Sequence, residues 1–293
     1  MSTQPTAVSE STEVDKSAVL RTDIEALKKT THVLEPFTPP KSWLNPPIHD
    51  PNLPSLSASN PDPNNVLLLV PTENEDKVRV VKDYFTRKTL HVPEHVNFPL
   101  PEPLRVTAES QVGEQPYDSA GPEGAFNRVV NAVRQLQRDP TYQKLLDDHR
   151  IGTVVVGSVE NFMLRINDPD GKGTVPVDYG FVVLCRIPVV RSTATVGWGG
   201  QSWEWRTGIS RGVTVPVDYW TEAERAGFDD DREATREARR RFGKMTVGTL
   251  LARYAGLSSA NWHEQLAEVS RYDLLAEAMA NMEAPWPASA AEK

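Results

Sequence analysis

Apolar positions along the chain follow two periods, and the change from one to the other divides it. Val66 to Val70 is an unbroken apolar run of strand length, and Ile151 to Glu160 is a second run, rich in β-branched residues, that needs cover on both faces. Between them Glu75 to Thr86 turns Val78, Val81, Tyr84 and Phe85 to one side, and Glu123 to Arg138 does the same with Phe126, Val129, Val130, Val133 and Leu136. Leu104 to Ala108 reads as a further strand. From Met163 the spacing becomes that of antiparallel strands: MLRIND, the turn DPDGKG, then VDYGFVVLCR, RSTATVGW and GVTVPV predict a hairpin or meander. Helical character returns over Thr221 to Phe242, where Asp229, Asp230 and Asp231 come early and Arg239, Arg240 and Arg241 late, in the sense a helix dipole favours. Ser270 and Asp273 form a capping-box-like start ahead of Leu274, Leu275, Ala278, Met279 and Met282. The pattern predicts an α/β fold with a mixed twisted sheet flanked by helices, one domain over residues 65–283, followed by a disordered tail over 284–293.

The stretch before Val66 is different. Nine prolines (Pro36, Pro39, Pro40, Pro46, Pro47, Pro51, Pro54, Pro61 and Pro63) remove backbone donors and fix φ, so residues 1–64 read as a mostly disordered Pro-rich extension. Within it Leu20, Ile24 and Leu27 recur at helical spacing over Ser17 to Leu34. That segment reads as transient helicity in a loose tail, because an isolated helix under ~15 residues is marginal in water. A short docking helix is the alternative.

Composition narrows the classes of function. Lys plus Arg number 32 against 40 for Asp plus Glu, a formal charge of −8 over 293 residues, which disfavours a broad electrostatic grip on nucleic acid or anionic lipid. Any phosphate recognition is therefore local. The apolar runs are far shorter than the ~20 residues that span a bilayer. The N-terminal MSTQPTAVSESTEVDK lacks a basic start followed by an apolar stretch, and the single Cys185 has no intramolecular partner, so a reducing compartment, cytosol or nucleus, is expected.

Candidate chemistry is sparse. The strand ending at Val70 runs through Pro71, Thr72, Glu73 and Asn74 into a helix carrying Lys77, and a strand-to-helix loop of this kind presents free N–H groups and a favourable dipole to an anion. The loop has no glycine, and a capped surface helix is the better reading of this segment by itself. Asn127 and Asn131 share a helix face one turn apart beside Arg128. Glu160 ends a buried strand, where a carboxylate can hold Mg²⁺ or simply face solvent. Cys185 reads as a small core residue. Pro93 argues against a helix that would align His91 and His95 as ligands. Trp198, Trp203 and Trp205 form a contact surface or pack on the sheet.

Taken together, T-x-N-x-x-K at Thr72, Asn74 and Lys77, ESQVGEQP at 109–116 and GAFNRVVNA at 124–132 resemble the inosine/xanthosine triphosphatase family, which removes phosphate from aberrant purine nucleotides. GSVENF at 157–162, MTVGTLLAR at 245–253 and ANWHEQLAEVSRYDLL at 260–275 are similar to a sister branch, the C-terminal domain of the proline-rich coiled-coil proteins. The resemblance spans residues 66–282. It implies that Thr72, Asn74 and Lys77 face the phosphates of a purine nucleoside triphosphate. Glu160 would stand at the Mg²⁺ position, with Lys77 as its catalytic partner, and Asn127 and Arg128 would lie beside the site. It also implies a homodimer. Departures are Asn161 and Phe162, where the enzymes carry a small residue and glycine, and the loop Gly243, Lys244, Met245 and Thr246. The bulk of Asn161 and Phe162 is expected to crowd a close backbone approach to ligand. These departures sustain an alternative: an inactive scaffold, with protein partners reached through the Pro-rich extension and roles in secretory traffic or kinase regulation.

Overall fold

The computed structural model describes residues 20, 23–44, 53–88, 90–167, 173–192, 203–228 and 240–287. Its centre is a hairpin of two long strands, β6 (Ile151–Asn167) and β7 (Thr174–Arg191), paired antiparallel from Thr153 opposite Pro188 to Asn167 opposite Thr174. β3 (Asp62–Val70) runs parallel to the first half of β6, Val66 opposite Thr153 and Leu69 opposite Val156, and β4 (Leu104–Arg105) lies parallel outside β3. On the other side of β7 lie β8 (Glu204–Ile209) and β9 (Gly212–Thr214), with β1 (Val33–Leu34) beyond β9 and β2 (Leu56–Ala58) parallel to the end of β7. β5 (Gln115–Pro116) and β10 (Phe242–Gly243) form a separate antiparallel pair. The mixed α/β sheet flanked by helices is as the pattern predicts.

Strand alternation sorts the core into two faces. Leu67, Leu69, Val154 and Val156 meet α3 (Ala120–Arg138) and its neighbour α4 (Pro140–Asp148) through Phe126, Val129, Val133, Leu136 and Leu146. Val66, Leu68, Val70, Val155 and Val159 meet α2 (Glu75–Thr86) and α8 (Arg271–Ala280). A third cluster joins α5 (Val217–Ala226), α6 (Val247–Ala255) and α7 (Trp262–Ala267) around Tyr219, Leu251 and Trp262. Full burial of a Val or Leu contributes about 1.5–3 kcal/mol each, which fixes β6 as the inner strand. Gly157 is needed where α2 crosses it, since a Cβ there would lie 2.6 Å from Val81 Cγ1. That close approach brings the first turn of α2 over the end of the β3–β6 pairing.

Several expectations are corrected. The boundary at residue 64 falls inside β3, and part of the supposed Pro-rich extension is built into the fold. α1 (Ile24–Thr30), capped by Asp23, buries Leu27, and Leu20 is buried beside Tyr219, whose hydroxyl donates to the Leu20 carbonyl at 2.5 Å. The segment docks because it gains a tertiary partner that an isolated helix lacks. Trp286 of the supposed tail packs against Phe85 and Phe98 and donates to the His91 carbonyl. Residues 1–19 and 45–52 of the extension, with Pro46, Pro47 and Pro51, and residues 288–293 of the tail lie outside the described residues. Glu160 does not end its strand; β6 continues to Asn167. The helix expected over Thr221 to Phe242 is instead α5, which stops at Gly227 with φ of 100°, while residues 229–239 lie outside the described residues. Residues 193–202, including Trp198, do so too. Trp203 and Trp205 pack over the sheet, Trp205 edge-on to Phe126 at 5.2 Å. Cys185 is a buried core residue. No helix among the described residues is long and apolar enough to cross a membrane.

Candidate functional site

β3 ends at Val70, opposite the middle of β6, and β6 is next bridged on that side at Met163, by Tyr117. Between Val156 and Met163 this edge of β6 has no strand neighbour among the described residues. A gap at the C-terminal end of a parallel strand is where open α/β sheets place their ligands. From the α2 face, Lys77 Nζ reaches into it and donates to the Val159 carbonyl at 3.0 Å. From the α3 face comes Glu160, whose Oε2 accepts from Arg128 Nε at 2.6 Å. Burial holds the Lys77 ammonium below its ordinary pKa; the Glu160 charge opposes that shift, and Arg128 and Arg271 reinforce it.

Two cavities that share Asn74, Lys77 and Arg271 open over this gap. The smaller, about 230 Å³, is walled by Lys77, Glu160, Asn161, Asp178, Thr246 and Arg271 among others. The larger, about 440 Å³, extends toward Arg79, Asn261, Glu264 and Tyr272. Three helices start at these walls. Asn74 caps α2 by accepting from Lys77 N at 3.0 Å, Thr246 caps α6 by accepting from Thr249 N at 3.1 Å, and Ser270 caps α8 by accepting from Asp273 N at 3.0 Å. Each cap satisfies one N–H, and other first-turn N–H groups keep the positive end of the dipole at the cleft.

A constellation that sequence reasoning missed ties these helices to the sheet. Asp178 of β7 is buried, and its Oδ2 accepts from His263 Nε2 of α7 at 2.6 Å and from Arg271 Nη2 of α8 at 3.2 Å. Burial pushes the Asp178 carboxyl up, but the His263 hydrogen bond and the Arg271 charge outweigh it and hold the group below its usual value. Burial, helped by Arg271, lowers His263 against the opposing pull of Asp178. The one available signal was a carboxylate inside the apolar run VDYGFVVLC, since a charge buried on a strand requires a partner.

The residues that the sequence singles out separate into two groups. Asn74, Lys77 and Glu160 meet at the smaller cavity. Thr72, Asn127 and Arg128 lie outside the walls of both cavities. Thr72 Oγ1 accepts from Asn74 N at 3.1 Å and shapes the loop. Along α3, Gln135 donates to the Thr107 carbonyl, Arg128 to Ala108, Asn131 to Glu109 and Asn127 to Ser110, at 2.6–3.0 Å. Four consecutive carbonyls of a strandless segment are thereby satisfied, which is a structural duty. Phe162 does not crowd the cleft: its ring turns to the α3 face, against Phe37 and Tyr179. Asn161 does line the smaller cavity, and its Oδ1 is buried without a hydrogen-bond partner.

A Mg²⁺ ion needs near-octahedral oxygen donors, typically one or two carboxylates with phosphate and water. Here Glu160 is taken by Arg128, and Asp178 by Arg271 and His263. No group of three or more His, Cys, Asp or Glu side chains among the described residues is placed to hold a metal. The cations that these carboxylates already hold are arginines. What lines the smaller cavity beside these pairs is the Lys77 ammonium, the Arg271 guanidinium held by Asp178, the helix starts, the Asn161 amide and the exposed Glu114 carboxylate. No family model, curated protein or solved structure matches this chain.

Proposed function

We propose that the cleft binds a purine nucleoside triphosphate, with phosphates in the smaller cavity on Lys77, Arg271 and the first turns of α2 and α6, and the nucleoside in the larger one. The observation that carries this reading is the position of Lys77. Its ammonium is held at the open edge of β6, facing a cavity onto which three helix N-termini converge. An ammonium kept half-buried at a cost in solvation, with no carboxylate bonded to it, suits a ligand that brings negative charge. Arg271, fixed by Asp178, supplies a second cation. Asn161 Oδ1 is an unsatisfied acceptor in the wall of the smaller cavity, and it calls for a ligand hydroxyl or N–H rather than a phosphate oxygen. The preference for inosine or xanthosine rests only on the resemblance carried by the Thr72, Asn74 and Lys77 loop with the 109–116 and 124–132 motifs.

A second reading, binding without turnover, is favoured by one feature. Of the three carboxylates that line the smaller cavity, the two buried ones, Glu160 and Asp178, are already ion-paired, which leaves only the exposed Glu114 to meet a metal or take a proton from an attacking water. Thermal shift with inosine, xanthosine and adenosine triphosphates, run beside phosphate release with Mg²⁺, tests both. The expected result is stabilisation by the triphosphates that is lost in Lys77→Met, with phosphate release no greater than in Glu160→Gln. Absence of any shift overturns the binding reading, and release that depends on Glu160 overturns the inactive one.

A further inference from the structure

The segment Glu35 to Lys41 (EPFTPPK) belongs by its prolines to the expected disordered extension, yet it is described, largely exposed and anchored. Pro36, Pro39 and Pro40 each fix φ near −65°, and a residue before proline is pushed to extended or polyproline II backbone, so Glu35, Thr38 and Pro39 are constrained as well. No helix or strand is assigned over residues 35–40, between β1 and the short 3-10 turn Lys41–Leu44. A polyproline II helix has three residues per turn, so it has three edges. Over residues 35–40 those edges carry Pro36 with Pro39, Glu35 with Thr38, and Phe37 with Pro40, and Lys41 opens the 3-10 turn that follows.

The body of the protein takes hold of this segment at Phe37. Phe37 packs on Trp43 at 5.8 Å, Tyr179 at 5.1 Å and Phe162 at 6.4 Å between ring centroids. Phe37 and Pro39 are half-buried, while Glu35, Pro36, Thr38, Pro40 and Lys41 are exposed. Domains that read polyproline II helices seat two edges in aromatic-lined grooves and leave the third free. The edge such a groove would not touch is the one that Phe37 anchors.

We propose that residues 35–41 form a preset docking site for an SH3-type domain, with Glu35–Pro36 and Thr38–Pro39 as the two groove-filling pairs and Lys41 entering an acidic pocket. Preorganisation by Phe37 lowers the ordering cost that a free Pro-rich peptide meets on binding. The site is independent of the cleft, since none of these residues lines either cavity.

The test uses the full chain, immobilised, and a panel of isolated SH3 domains that differ in acidic residues beside the groove. Acidic members should bind, at least about tenfold more weakly to Pro36→Ala/Pro39→Ala and to Lys41→Glu. Pro40→Ala, on the edge that carries Phe37, should bind within about threefold of wild type. Pro36→Ala and Lys41→Glu change exposed side chains, and an unchanged thermal midpoint shows that each variant folds. Failure of every domain to bind the wild-type chain, or wild-type binding by Lys41→Glu and the double proline variant, overturns the proposal.

Discussion

The two faces of β6 each bring a polar group to the same place, and they treat it in opposite ways. On the α3 face, Asn127, Arg128, Asn131 and Gln135 give their donors to the carbonyls of Thr107 to Ser110, and Arg128 also gives one to Glu160. On the α2 and α8 face, Lys77 has one backbone carbonyl as partner and Asn161 Oδ1 has none, and both line a cavity. Both faces look alike in the sequence, as amides and cations bordering an apolar stripe. What separates scaffold from site is whether the hydrogen-bonding capacity is already used within the fold.

That contrast can be broken by substitution, beginning with the largest effect. Arg128→Met strips a buried carboxylate of its cation and the Ala108 carbonyl of its donor, and should cost about 3–5 kcal/mol in urea unfolding. A cost under about 1 kcal/mol would mean the pair is incidental. Lys77→Met should do the reverse: triphosphate affinity falls about tenfold or more while stability moves by less than about 1 kcal/mol. Asn127→Ala should lose about 1 kcal/mol of stability and leave triphosphate affinity within about twofold. If instead Asn127→Ala abolishes binding with stability intact, the division between the faces is wrong.

Acid sharpens the comparison, because Asp178 and His263 both sit below their ordinary values. For such groups the unfolded chain takes up the proton first. Their contribution is complete above the unfolded value and is lost progressively as pH falls from there through the folded one. Through these two groups urea midpoints should fall as pH drops below 6.5, the ordinary histidine value, while the lowered Lys77 gives a separate slope of the same sign that ends near its ordinary 10.5. His263→Gln should flatten that first decline, leaving the Asp178 step below pH 3.8, the ordinary aspartate value. An unchanged profile in the variant would remove His263 as its source.

Local pattern carries most of the architecture. α2 and α8 follow from their apolar stripes and caps, α3 from its stripe alone, and β3 and the β6–β7 hairpin from their runs. The apparent strand end at Glu160 arises because polar Glu160 and Asn161 interrupt the apolar run where β6 has lost its neighbour on one side. That interruption marks the site rather than a strand end. α4 escapes a search for apolar stripes because it buries only Leu146, although Asp139 and Pro140 make a good helix start, with Asp139 accepting from Thr141 N at 2.8 Å. The parallel pairing of β2 with β7 and the meeting of Asp178 with residues 85 and 93 positions away are tertiary facts, and no local period encodes them. Lys77 and Asn74 are legible from their strand-to-helix loop; Arg271 and His263 are not, since α7 and α8 reach the cleft only through packing.

The proposed cleft differs from a metal-dependent one in a single respect: Lys77 and Arg271, rather than a bound cation, hold the phosphates. Calorimetric titration of inosine triphosphate into the full chain, once with Mg²⁺ and once with EDTA, addresses that difference directly. Binding should persist in EDTA and disappear in Lys77→Met. Binding that requires Mg²⁺, or that survives loss of the Lys77 ammonium, would contradict it.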